Sequence, residues 1–236
     1  MKIALAAARF VNGNIPYNVG QMEKMLASVS GRAELICFGE SFLQGFDAPS
    51  WQYEKDKAIA EPQDGPWMRK IAALSRQHRI DVAFGYMERA GETLYSSYAV
   101  LADGTVLHNY RRVSRGWKEY SRTDSHYAEG TETGAFSYGG HQVTVALCGD
   151  LWEHPGRFKT NDLLLWPVYL NFSLAEWGQE QEAYARQAAL AAPRTLMVNA
   201  LSDKPAAHGG AWYFEGGRIG QRLDFDREDL LIVEIP

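Results

Sequence analysis

Short apolar runs alternate along this chain with helical stripes, and that alternation constrains its fold more than any other feature. It is the pattern of an α/β domain with parallel crossovers and some antiparallel pairs. Ile3–Ala8 predicts a buried first strand. Asn18 is placed to cap a helix, with Gln21 three residues on and Val19, Met22, Leu26 and Val29 as its apolar stripe; Gly31 follows its end. Leu35–Phe38 predicts a strand that runs out at Gly39-Glu40. Asp64-Gly65-Pro66 opens a second helix, with Pro66 near its first position, reaching about His78. Ile80–Met87 follows as a strand. Leu94–Leu101 and Thr105–Arg111 flank Ala102-Asp103-Gly104, a hairpin signal. Residues 112–140 are irregular and rich in charge and aromatics, which points to a functional segment. Strands are expected at Gln142–Leu147, Asp162–Trp166 and Thr195–Asn199, with a helix from Glu176 to about Ala192 that stops at Pro193. Ala211–Phe214 and Arg218–Leu223 flank the turn signal Glu215-Gly216-Gly217, and Leu230–Ile235 reads as a last strand.

Composition narrows the function classes. With 236 residues, 46% of them hydrophobic, the chain can bury a sizeable core. A net charge of −5 argues against nucleic acid or an anionic membrane as the main partner. The apolar start Ile3–Ala8 is interrupted by Arg9, which favours a strand over a signal peptide, and no segment has the apolar length of a membrane span. Two cysteines, Cys37 and Cys148, are too few for a disulfide scaffold and suit an intracellular, cytoplasmic enzyme. No zinc-like Cys/His spacing and no dinucleotide glycine fingerprint occurs.

Cys148 follows the apolar run Val143–Leu147 and precedes Gly149, placing a thiol at the carboxyl end of an expected strand, where open α/β sheets bind ligands. Glu40 ends one strand and Tyr110-Arg111-Arg112 ends another. Taken singly, a cysteine is commonly a packing residue, a glutamate after a strand a solvated one, and arginines at a hairpin end surface charges.

In combination and order, these segments resemble the nitrilase, or carbon–nitrogen hydrolase, superfamily. Ile36-Cys37-Phe38-Gly39-Glu40 is similar to the family segment that ends a strand with the catalytic glutamate. Gly85-Tyr86-Met87-Glu88 with Tyr95-Ser96-Ser97 resembles the run carrying a second glutamate, and Gly104 with Tyr110-Arg111 the hairpin leading to the catalytic lysine. Leu147-Cys148-Gly149-Asp150-Leu151 resembles the nucleophile motif; Leu165-Trp166-Pro167, Asn171, Arg186 and Met197-Val198-Asn199 continue the likeness. The resemblance implies one carbon–nitrogen hydrolase domain over residues 1–236, folded as an α/β four-layer αββα sandwich of two mixed β-sheets. It also implies a homodimer or higher homo-oligomer, with neither a metal nor an organic cofactor. Cys148 would be the nucleophile, Glu40 the general base and Glu88 a supporting group, with backbone N–H groups of Gly149 or Asp150 facing the oxyanion. Trp152 is expected beside the substrate, among aromatics that include Trp117, Tyr120, Tyr169, Phe172 and Trp177.

Three departures stand out. Where the family usually has lysine, this chain has Arg112; the nearest lysine is Lys118. Lys118 is therefore expected to reach the site through a remodelled loop, with Arg112 as the alternative cation. The residue after the cysteine is often aromatic in the family and is Gly149 here. Arg186 is followed by Ala189-Leu190 rather than Glu-Asn. The implied activity is hydrolysis of a small linear amide or N-carbamoyl compound through a Cys148 thioester. Its rivals are a catalytically silent relative that binds a small ligand or a protein, and a nucleotide-binding α/β protein.

Overall fold

The computed structural model describes residues 1–236. In chain order the elements are β1 (Lys2–Ala7), α1 (Ile15–Val29), β2 (Leu35–Cys37), α2 (Tyr53–Ile59), α3 (Pro66–His78), β3 (Asp81–Ala90), β4 (Thr93–Ala102), β5 (Thr105–Arg111), β6 (Ala135–Tyr138) and β7 (His141–Val145). There follow α4 (Asp150–Glu153), β8 (Leu163–Val168), α5 (Leu174–Ala188), β9 (Arg194–Asn199), β10 (Leu201–Asp203), β11 (Ala206–His208), β12 (Ala211–Glu215), β13 (Arg218–Arg222) and β14 (Asp229–Glu234).

Two six-stranded sheets form, in the orders β14-β1-β2-β3-β4-β5 and β13-β12-β9-β8-β7-β6. Each has three parallel strands at its heart, β1–β2–β3 and β7–β8–β9, flanked by antiparallel strands. The pleat explains the layering. Ile3 and Leu5 of β1 join one apolar cluster with Val143, Val145 and Leu165 of the other sheet, while Ala4 and Ala6 join another with Met22 and Leu26 of α1 and Ile71 of α3. Helices α1 and α3 thus cover the outside of the first sheet. Trp177, Tyr184 and Ala188 of α5 pack with Trp212 of β12 outside the second. The result is the four-layer αββα sandwich. No helix is long and apolar enough to cross a membrane.

Several element boundaries differ from expectation. Helix α1 is capped by Asn14, whose side chain accepts from the Tyr17 N–H at 3.2 Å. Asn18, one turn later, is buried and instead ties the Val11 backbone to the Leu43 carbonyl. Both asparagines carry a capping signal; Pro16, suited to a first turn, marks the earlier one. Helix α5 starts at Leu174 behind a Ser173–Glu176 capping box. Strand β6 lies inside the segment read as irregular, and the hairpin β10–β11 was not foreseen.

Gly85 fixes how the first sheet meets its own loop. A Cβ there would lie 2.7 Å from Glu40 Cα and closer still to the Ser41 nitrogen. The missing side chain lets the Glu40 backbone rest on β3, with Gly85 N–H donating to Gly39 O at 3.1 Å. Gly85→Ala is expected to destabilise the fold by about 1–3 kcal/mol through overpacking, read as a shift in the urea midpoint at unchanged m-value.

Candidate active site

Three chain segments converge between the sheets. Glu40 follows β2 and is fully buried. Its N–H donates to Val168 O of β8 at 3.3 Å, which fastens it to the opposite sheet. Arg112 follows β5, held by its N–H to Ser96 O at 2.8 Å. Neighbours on an extended strand point oppositely, so Arg111 and Arg112 serve opposite faces of the sheet. Arg111 pairs with Glu88 at 2.8 Å, and Arg112 pairs through Nη1 with Glu40 Oε1 at 2.8 Å. The Arg112 guanidinium is only 4% exposed and makes two further bonds of 2.8 Å, from Nε to Ser114 Oγ and from Nη2 to Arg115 O.

Cys148 lies three residues past β7 with φ 42°, a left-handed conformation that costs a cysteine free energy and turns its side chain out of the strand line. Two bonds hold that turn: Cys148 N–H to Pro167 O at 3.1 Å, and Trp166 Nε1 to Cys148 O at 2.9 Å. Asp150 joins the turn to the arginine loop. Its carboxylate accepts from Leu147 N–H at 2.7 Å, Ser114 N–H at 2.8 Å, Val113 N–H at 3.2 Å and Tyr110 Oη at 2.6 Å. The Asp150 N–H is spent on Leu147 O at 2.9 Å, whereas that of Gly149 has no partner.

Electrostatics follow from burial. Desolvation raises the Glu40 carboxyl above its ordinary value against the opposing pull of Arg112, and the Cys148 thiol is a further hydrogen-bonding neighbour. Glu40 Oε2 is buried without a well-formed hydrogen bond, so one carboxyl oxygen is held and the other is free. Cys148 keeps a partial opening to solvent, yet burial pushes its thiol up to about 12, aided by the Glu40 charge and opposed by Arg112. Cys148 therefore rests as a thiol, beside a carboxyl group that burial has also raised. Cys37 is likewise pushed up to about 12, but it is core, 1% exposed.

Other expected residues go elsewhere. Lys118, the first choice for the cation, is not at the site: its ammonium donates to Tyr127 O and pairs with Glu129 at 3.2 Å, over the Tyr120 ring. Its loop carries it towards the Tyr127 carbonyl and the Glu129 carboxylate. Glu88 lies on the face of β3 away from Glu40, accepting from Arg111, Ser97, Asn109 and Gln63. Burial would raise its carboxyl, but these bonds carry it below its ordinary value, so it is a structural anion and not a support for Arg112. Trp152 stands half outside, 5.1 Å from Tyr184. Trp177 is buried against Trp212 and Phe225. Trp117 borders a void of about 10 Å³ with Ser41, Phe46 and Ser96; its indole N–H and the Ser96 hydroxyl are both buried and unpartnered. A void of that size and polarity suits one water. Ser114, Ser96 and Trp166 carry no site role in the sequence reading, although Ser96 and Trp166 stand inside the segments Tyr95-Ser96-Ser97 and Leu165-Trp166-Pro167 that carry the family likeness. Ser114 is legible only as two residues beyond Arg112, and so on its side of an extended segment.

The carbon–nitrogen hydrolase family model matches residues 2–236. The chain belongs to that family. Among curated relatives, the glutamine-dependent NAD(+) synthetase of Acinetobacter baylyi is 30% identical over 157 residues, covering 64% of this chain and 27% of that protein. An (R)-stereoselective amidase from Pseudomonas sp is 26% identical over 152 residues, covering 64% of this chain and 52% of the amidase. The alignments thus span between about a quarter and a half of these relatives. Among solved structures, an amidase from Nesterenkonia sp. superposes with a TM-score of 0.79 at 20% identity, covering 100% of this chain and 90% of that one. At that identity the likeness is one of fold.

Iodoacetamide is expected to label Cys148 of this carbon–nitrogen hydrolase family member before Cys37. In Glu40→Gln the midpoint of Cys148 labelling is expected to fall below about 12, because removing the carboxylate charge leaves Arg112 unopposed. Peptide-resolved mass spectrometry across pH reads both.

Proposed function

We propose that this chain hydrolyses a small non-peptide carbon–nitrogen bond, in a linear amide or N-carbamoyl compound, through a thioester on Cys148. The observation that carries the reading is the division of labour on Glu40: Oε1 is held by Arg112 at 2.8 Å while Oε2 is buried and free. An oxygen so placed is a proton acceptor for the neighbouring thiol.

In this scheme Cys148 Sγ attacks the carbonyl carbon as its proton passes to Glu40. The carbonyl π electrons move onto oxygen, and the oxyanion is met by unspent Arg112 N–H groups and the Gly149 N–H. Collapse breaks the C–N bond, and the leaving nitrogen takes the proton from Glu40. Glu40 then deprotonates a water that attacks the thioester, and departure of the acid restores the thiol. Losing one oxyanion donor typically costs about 3 kcal/mol of barrier, roughly a hundredfold in rate. Because arginine holds its charge across the working pH range, loss of the cation's proton sets no alkaline limit. The amide class is supported by the family and by the relatives named amidases. The homo-oligomer implied by the resemblance and the cytoplasmic setting expected from the cysteine count belong to the same proposal. A second reading, a silent relative, is favoured by one observation, the arginine in the lysine's place.

Incubation with an amide panel and intact-mass measurement separates the two. A covalent acyl adduct on wild type, absent from Cys148→Ala, supports the hydrolase; no adduct and no turnover with any amide supports the silent relative. Glu40→Gln is expected to abolish turnover. Arg112→Ala, confirmed folded by near-ultraviolet circular dichroism, is expected to lower kcat/KM about a hundredfold, and Lys118→Ala to leave it near wild type. The acid limb of kcat/KM is expected above the ordinary glutamate value of 4.5, since activity is lost as falling pH protonates a carboxyl that burial has raised.

A further inference from the structure

Two departures from the family pattern meet in space. Arg112 stands where lysine is usual, and Gly149 stands where an aromatic is common. Gly149 has φ −63° and ψ −14°, ordinary helical backbone that any residue adopts, so conformational freedom does not explain the glycine. Space does. A Cβ at this position would lie 2.6 Å from Arg112 Nη2 and 3.2 Å from Ser114 Oγ. The guanidinium is not a loose end that can swing aside. Its three nitrogens are tied to Ser114 Oγ, Glu40 Oε1 and Arg115 O, each at 2.8 Å. Moving Nη2 away from a new methyl group breaks at least one of those bonds. A lysine ammonium has no such fork, and the volume filled by Nη2 would be free for a side chain.

We infer that Gly149 and Ser114 are positioning residues that adapt this site to a guanidinium: the absent side chain makes room for Nη2, and the Ser114 hydroxyl sets the plane of the ring of nitrogens. The inference rests on the proposed role of Arg112 and deepens it. A guanidinium carries five N–H bonds. The three contacts spend one on each nitrogen, so one remains on Nη1 and one on Nη2. Nη2 is also the nitrogen nearest the Gly149 position, whose own N–H is unpartnered. Gly149 therefore acts twice, by its N–H and by the volume it leaves empty. Arginine at 112 is then one part of a three-residue exchange, and restoring lysine alone leaves an unfilled gap beside the sulfur.

A double-mutant cycle tests this, with two readouts: the rate constant of Cys148 labelling by iodoacetamide at one fixed, mildly alkaline pH, and kcat/KM on an amide. With Arg112 present, Gly149→Ala is expected to lower the labelling rate constant, and to lower kcat/KM about a hundredfold, because the cation is pushed from the thiol. In the Arg112→Lys background the same alanine is expected to change neither by more than about twofold. Ser114→Ala adds no atoms, so it serves if Gly149→Ala does not fold; it should act in the same direction with arginine and have no effect on labelling with lysine. Equal effects in both backgrounds, or none in either, overturn the inference. The labelling arm needs no substrate, so it decides the coupling even if no amide is turned over, an outcome that would instead remove the hydrolase reading.

Discussion

A buried ion pair, Glu40 with Arg112, is the interaction on which the site depends. Both side chains are almost entirely withdrawn from water, at 0% and 4% exposure. Removing two charges from water is costly, and their attraction repays it only when the remaining donors are satisfied. Here Ser114 and Arg115 supply partners to the guanidinium, so its charge stays fixed in place. The carboxylate is left deliberately short of partners: one of its oxygens has none. That asymmetry sets the pair apart from one whose carboxylate is fully partnered. The neighbouring Glu88–Arg111 pair shows the contrast. Glu88 accepts from four side chains and has no oxygen to spare for chemistry.

The sandwich exists, in functional terms, to bring that pair to a thiol. Glu40 leaves the first sheet after β2 and is fastened to the second through Val168 O. Cys148 leaves the second sheet after β7 and is fastened by Pro167 O and the Trp166 indole. Asp150 closes the triangle by gripping both the Leu147 turn and the Tyr110–Ser114 segment. With its four accepted hydrogen bonds, this carboxylate couples the Arg112 loop to the Cys148 turn. The positive φ of Cys148 is held by these bonds, which is the usual way strain persists at a reactive position.

The two remodelled features of the site have a common origin in side-chain shape. A planar fork needs more width and more acceptors than an ammonium. Width comes from Gly149, and acceptors come from Ser114 Oγ and the Arg115 carbonyl. Lys118, freed from the site, neutralises Glu129 instead and packs over Tyr120. An irregular segment of this length can hold at its start an arginine that pairs with Glu40 and, six residues later, a lysine that pairs with Glu129, because only backbone path distinguishes them.

Local pattern determined much of the fold. The short apolar runs of β1, β3 and β4, the stripes of α1 and α3, and the glycine turns of both hairpins are each properties of a few adjacent residues, and they placed Glu40 and Cys148 at strand ends. What adjacent residues do not encode is which of two similar groups lies nearer a third. Asn14 and Asn18 carry the same capping signal, and tertiary packing assigned one to the helix and the other to the loop. Arg112 and Lys118 carry the same charge, and the exit direction of β5 sent one to Glu40 and the other to Glu129. The reason for Gly149 is likewise invisible along the chain, because the atom it avoids belongs to a residue 37 positions earlier by the numbering of Arg112 and Gly149. Sequence alone established that a sulfur, a carboxyl and a cation were present in the right order; only the packing of one sheet on the other decided which cation, since that choice is made by distances across the sandwich and not along the chain.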